Sequence, residues 1–195
     1  MSLHKKGFFL EVNLKKIIDN IKDKLESNPP AVLTLGFFLV ITVGSILLFL
    51  PFSSKNLNFT NFLDCVFIST SSVCVTGLST INITNEFNFF GKTVIMLLIQ
   101  MGGLGFMTMA TMVAMILGEK ITLKDRLVIR EQMGSTKLSG MVKLIRYVIF
   151  STFLVEGLGA ILLSFTFVPK FGIKGIFYSI FHSVSAFCNA GFDIL

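Results

Sequence analysis

The chain has 195 residues, 53% of them hydrophobic and only 14% charged, with a mean hydropathy of +0.80 and a net charge of +6. Soluble domains carry about 25% charged residues, and a soluble core of this size could not hide so much apolar surface. Soluble globular and disordered classes are therefore set aside, and the 3 cysteines, an odd number, form no disulfide framework; lipid is the natural solvent.

Residues 1–30 read as a cytoplasmic amphipathic N-terminus. Val12, Leu14, Ile17, Ile18, Ile21 and Leu25 recur at helical spacing, with lysines and acids between them. Two readings stay open: a helix lying on the inner membrane surface, or a solvated cap. No cleavable leader is expected, because the first apolar run is short and broken by Glu11, Lys15 and Lys16.

A membrane-spanning helix needs roughly 20 apolar residues. Three segments qualify: Ala31–Leu50, Val94–Leu117 and Ile145–Val168, the last with Glu156 inside. Between and after them, Phe62–Leu78 and Gly175–Phe192 are apolar but rich in Ser, Cys and Gly. They read as re-entrant segments, whose polar backbone survives at membrane depth only beside protein or water. Residues 118–144 form a basic loop. Thirteen of the 17 Lys and Arg lie before Ala31 or between Gly118 and Arg146. The positive-inside rule then places the N-terminus and this loop in the cytoplasm, and both re-entrant segments on the outer face. Topology accounts for the charge without a nucleic-acid partner.

The two re-entrant segments repeat one another. Phe67/Phe181, Ser69/Ser183, Ser71/Ser185, Cys74/Cys188 and Gly77/Gly191 are identical pairs, and a spanning segment precedes each copy. Substrate sites of membrane proteins with internal repeats lie at the repeat interface. A short helix entering from outside, followed by a glycine-bearing loop that runs back, suggests a pore. Rings of carbonyls replace the hydration shell of a cation, glycine permits the positive φ that turns a carbonyl, and the negative C-terminal end of such a helix favours a cation.

Ser71-Ser-Val-Cys-Val-Thr-Gly-Leu78 resembles the first selectivity-filter loop of the Trk/Ktr/HKT potassium-transporter superfamily, and Ser185-Ala-Phe-Cys-Asn-Ala-Gly-Phe-Asp193 resembles the second. Gln100-Met-Gly-Gly-Leu-Gly105 is similar to a further stretch of that superfamily, and the closest subtype is the Ktr-type membrane subunit. The resemblance implies an all-α integral membrane fold of the voltage-gated-like channel type, built from four repeats of membrane helix (M1), pore helix and membrane helix (M2). About one and a half are expected here: 31–117 complete, and 145–195 ending after its filter loop. It implies an ion filter formed by Val75, Thr76, Gly77, Asn189, Ala190 and Gly191, with K+ at their carbonyls and no side-chain metal site. The glycine at the first position is the pattern associated with potassium preference. It further implies potassium uptake at the plasma membrane, Na+ as a stimulating ion, no bound cofactor, a homodimer, and a cytosolic ring of nucleotide-binding regulatory subunits. The alternative for these residues alone is a non-conducting fragment of such a transporter.

Several single residues carry two readings. Glu156, a carboxylate inside a span, is a functional candidate by default or a hydrogen-bonded packing residue. Gly102, Gly103 and Gly105 either let helices pack closely or give flexibility beneath the filter. Cys74, Cys188 and His182 are metal or redox candidates by type, but lack ligand spacing. Asp64 suits a helix N-terminus, and Asp193 either attracts cations or caps. A remote alternative is an intramembrane aspartyl protease using Asp64 and Asp193, which requires the two acids to face each other.

Overall fold

The computed structural model describes residues 29–105, 108, 109, 111, 127–129 and 141–195. The amphipathic N-terminus and most of the basic loop expected from the sequence lie outside the described residues. Among those described, the architecture is helical, and the single strand-like feature is an isolated bridge between Ser54 and Phe87.

Helix α1 runs Pro29–Phe49, 21 residues without a charge, about 31 Å at 1.5 Å per residue and so the thickness of a bilayer core. The hydroxyls of Thr34, Thr42 and Ser45 donate to the carbonyls of Pro30, Phe38 and Ile41 one turn back, so its polar atoms need no water. It stops because Leu50 precedes Pro51: proline keeps the residue before it extended, and Leu50 sits at ψ 142°. A short turn, Pro51–Ser53, follows. Asn88 then ties the end of α1 to the start of the helix that follows Asn88 in the chain: its side-chain amide donates to Phe52 O and Ser54 O, and its Oδ1 caps Gly91 N.

Helix α2 is Phe62–Val73, capped by Asn61 Oδ1 on Leu63 N, with Asp64 in its first turn. Its 12 residues reach about 18 Å, only part-way across a bilayer. Ser69 Oγ donates to Ile41 O at 2.9 Å, pinning α2 to α1. Gly44 makes the approach possible, since a Cβ there would lie 2.6 Å from Ser69 Oγ and 2.8 Å from Leu98. After the short α3 (Ile83–Glu86), helix α4 covers Phe89–Leu104.

Of the expected second span, Val94–Leu117, the described part is mainly helix α4, and most of residues 106–117 lie outside the described residues. The helix starts five residues earlier, because Asn88 caps it, and it breaks at Gly105, whose φ of 83° is incompatible with α-helix. Among the described residues two helices, α1 and the helix that follows residue 140, are long and apolar enough to cross a membrane.

The second of these is α5, Met141–Phe171. It outruns the expected Ile145–Val168 at both ends and closes at Gly172 in the left-handed region, φ 61°. Helix α6, Lys174–Phe187, turns straight back against it. Gly175 sits on the Phe167 backbone so tightly that any Cβ would collide. The core lies where α1, α2, α4 and α6 meet, around Leu48, Ile68, Ile95, Ile99 and Phe181. The helical residues 127–129 pack Val128 and Ile129 against Ile145 and the start of α1. The outward faces of α1 and α5 present Phe38, Leu39, Phe150, Leu158, Leu162 and Phe165. So continuous an apolar exterior belongs in lipid or against further protein, not in water.

Candidate ion-filter site

Helices α2 and α6 end the same way. Cys74 (φ −82°, ψ −1°) and Cys188 (φ −74°, ψ −2°) are the C-caps. Beyond them Val75 N donates to Ser72 O at 3.2 Å and Thr76 N to Ser71 O at 2.9 Å. In the second copy Asn189 N donates to Ala186 O at 3.0 Å and Ala190 N to Ser185 O at 2.7 Å. This paired pattern is a Schellman motif, which needs a left-handed residue just past the cap. That residue is Val75 at φ 57° in one loop and Asn189 at φ 58° in the other. A second left-handed residue follows at the same interval: Gly77 at φ 72° and Gly191 at φ 73°. Asparagine tolerates this region; a β-branched valine there is an outlier, held at a cost of about 1–2 kcal/mol.

The alternating φ signs turn successive peptide planes in opposite senses. Among the described residues, no hydrogen bond ends on the carbonyl oxygens of residues 75–77 or 189–191. The two loops also touch: a Cβ on Gly77 would run into the carbonyl oxygen of Ala190, while one on Gly191 would meet nothing within 4 Å.

Each loop's outgoing strand is clamped to its own helix, by different chemistry. Thr80 Oγ1 donates to Asp64 Oδ1 at 2.7 Å. His182 Nε2 lies 3.0 Å from Asp193 Oδ1, with its Nδ1 2.8 Å from Tyr178 O. The carboxyl of Asp193 is held below its ordinary range, first by the N–H of Leu195 and less by His182. Equivalent serines do different work: Ser71 Oγ bonds the Thr76 hydroxyl at 2.8 Å, whereas Ser185 Oγ donates to Phe192 O at 3.0 Å.

Beneath the loops lies the end of α4. Gly102 abuts the Val73 carbonyl of the first helix end, and a Cβ at Gly103 would lie 2.5 Å from Cys188 Sγ of the second. Gly105 contributes the helix break instead. Gln100 completes this floor: its Nε2 donates to both oxygens of Glu156, at 2.9 and 3.1 Å, and its Oε1 lies 3.9 Å from Cys188 Sγ. Ser183 Oγ donates to the backbone carbonyl of Glu156 at 2.6 Å. Glu156 is thus a buried, bonded residue linking α4, α5 and α6, beside a cavity of about 350 Å³. Neither Gln100 as its partner nor the His182–Asp193 clamp was evident in the sequence, because both pairs join residues whose proximity only the fold creates. Among the described residues the candidates Cys74, Cys188 and His182 are not gathered into a metal-binding group, and Asp64 and Asp193 are each held by a different partner.

A family profile for cation transport proteins, TrkH, matches residues 14–195. The chain belongs to the TrkH family of cation transport proteins. This family consists of transporters rather than enzymes, which sets aside the protease alternative. The chain is 44% identical to the potassium/sodium uptake protein NtpJ of Enterococcus hirae over 169 residues, 86% of this chain and 38% of that protein. It is 42% identical over 178 residues to the Ktr system potassium uptake protein B of Bacillus subtilis, covering 90% of this chain and 39% of the relative. The protein of the same name from Vibrio alginolyticus is 33% identical over 193 residues, 98% of this chain and 40% of the relative. The chain spans about two-fifths of the length of these relatives.

Proposed function

We propose that this chain forms part of a potassium-uptake pore of the plasma membrane, with residues 75–77 and 189–191 as two walls of its ion filter. The observation that carries this reading is the duplicated backbone: left-handed residues at Val75 and Gly77, repeated at Asn189 and Gly191, each pair at the end of a short helix. Carbonyls left without hydrogen bonds are the groups that replace water around a dehydrated cation. The C-terminal ends of α2 and α6 add partial negative charge at the same place. Strain at Val75 is of the kind retained where function requires it.

Two loops cannot encircle an ion. In this account α1, α2 and α4 are one membrane helix–pore helix–membrane helix unit, α5 and α6 begin a second, and further loops of the same kind complete the ring of four. The N-terminus lies in the cytoplasm, where the lysine excess places it. The names of the relatives, potassium/sodium uptake protein and Ktr system potassium uptake protein, support K+ as the transported ion; the reading further takes Na+ as a stimulant and the assembly as a dimer on a cytosolic nucleotide-binding ring. A second reading, that residues 1–195 fold but do not conduct alone, is favoured by their covering only 38–40% of the relatives. Complementation of a potassium-uptake-deficient strain separates the two. Growth at low potassium with this chain alone would refute the second reading. Growth only with a longer reading frame, abolished by Gly77→Ser, supports both the filter and the need for more walls. Growth of the longer frame unaffected by Gly77→Ser or Gly191→Ser would refute the filter.

A further inference from the structure

At the end of the molecule where α4 and α6 begin, a half-open cavity of about 430 Å³ is walled by Phe89, Phe177 and Tyr178 and edged by three lysines, Lys55, Lys92 and Lys174. Among the described residues no carboxylate lines it. Lys92 is 5% exposed, yet among the described residues its ammonium has neither an ion-pair nor a hydrogen-bond partner; its nearest favourable contact is the Tyr178 ring, 5.7 Å from Nζ to the centroid. The side chain is buried but its ammonium reaches the cavity, where two like charges disfavour a cation that has no anion beside it. A ring face offsets only part of that repulsion. Beside the opening, Phe89 is 67% and Ile173 88% exposed. These are surfaces for an acyl chain rather than for water.

We propose that this cavity binds the phosphate of an anionic phospholipid of the outer leaflet, Lys92 meeting the phosphate from within and Lys55 and Lys174 from the rim. The apolar walls and the lipid-facing lip select a lipid over free phosphate. The site is separate from the filter loops and does not depend on their assignment.

The test is native mass spectrometry of the delipidated full chain in detergent, titrated with phosphatidylglycerol and phosphatidylcholine. Phosphatidylglycerol is expected to bind at least about fivefold more tightly per engaged lysine. Lys92→Met should abolish the preference, and the exposed pair Lys55→Gln/Lys174→Gln should weaken it. If Lys92→Met does not fold, the exposed pair carries the test alone. Equal binding of the two lipids, or a preference unchanged by either variant, overturns the proposal. Inorganic phosphate that displaces phosphatidylglycerol at equal concentration overturns the choice of a lipid as occupant.

Discussion

Gly77 and Gly191 occupy equivalent places in the two loops, with φ of 72° and 73°, so a symmetric pair would predict equal sensitivity to substitution. Their surroundings predict otherwise. A Cβ on Gly191 meets nothing within 4 Å, so Gly191→Ala bears only the left-handed penalty, about 1–2 kcal/mol. Gly77→Ala bears the same penalty and also drives its Cβ into the carbonyl oxygen of Ala190. That overlap is with backbone and cannot be relieved by a rotamer change, adding about 1–3 kcal/mol. Gly77→Ala should therefore lose about 2–5 kcal/mol in all, and Gly191→Ala only the about 1–2 kcal/mol of the shared penalty. Thermal unfolding of the two variants in detergent, followed by a thiol-reactive dye on the buried Cys65 with Cys74 and Cys188 changed to serine in both, reads the difference. Equal melting temperatures, or a lower one for Gly191→Ala, would refute the loop-to-loop contact and with it the placement of the two loops side by side.

Gln100→Leu leaves the buried Glu156 without its amide donor; it should destabilise the chain by about 1–3 kcal/mol, and a double-mutant cycle with Glu156→Leu should show that most of the loss disappears when both partners are apolar. Val75→Gly removes about 1–2 kcal/mol of left-handed strain against about 0.5–1 kcal/mol of added backbone entropy, so its melting temperature should match or slightly exceed that of the parent, unlike a Val→Gly change at Val73 within α2. The Asp193 carboxyl is held low by Leu195 N–H and His182, so its contribution is full above the free carboxylate value of about 3.9 and falls away as pH drops through the lower folded value. The stability gap between the parent and Asp193→Asn should close below about pH 4; with the Asp193 side chain 71% exposed the gap is small, and a gap that persists undiminished well below about pH 4 would contradict the clamp.

Much of this arrangement was legible in the sequence. Hydropathy located α1 and α5, and the paired Ser, Cys and Gly residues of 67–78 and 181–192 marked two segments that the structure gives the same helix end and the same backbone. What escaped depends on long-range geometry. The end of α4 at Gly105 lies inside an unbroken apolar run, so only its backbone conformation betrays it. Lys92 looks like a flanking charge in the sequence and is buried in the fold. Gln100 belongs to a recognisable motif, but its partner Glu156 is 56 residues away. Gly102 and Gly103 face one helix end each, a division of labour that spacing alone cannot express.

In the proposed pore the loops at 75–77 and 189–191 select the ion. Potassium and sodium fluxes into proteoliposomes containing the longer protein, compared between the parent and Gly77→Ser, test it most directly. The potassium-to-sodium flux ratio should fall in Gly77→Ser while Lys92→Met keeps the parental ratio. An unchanged ratio in Gly77→Ser, at undiminished total flux, would contradict it.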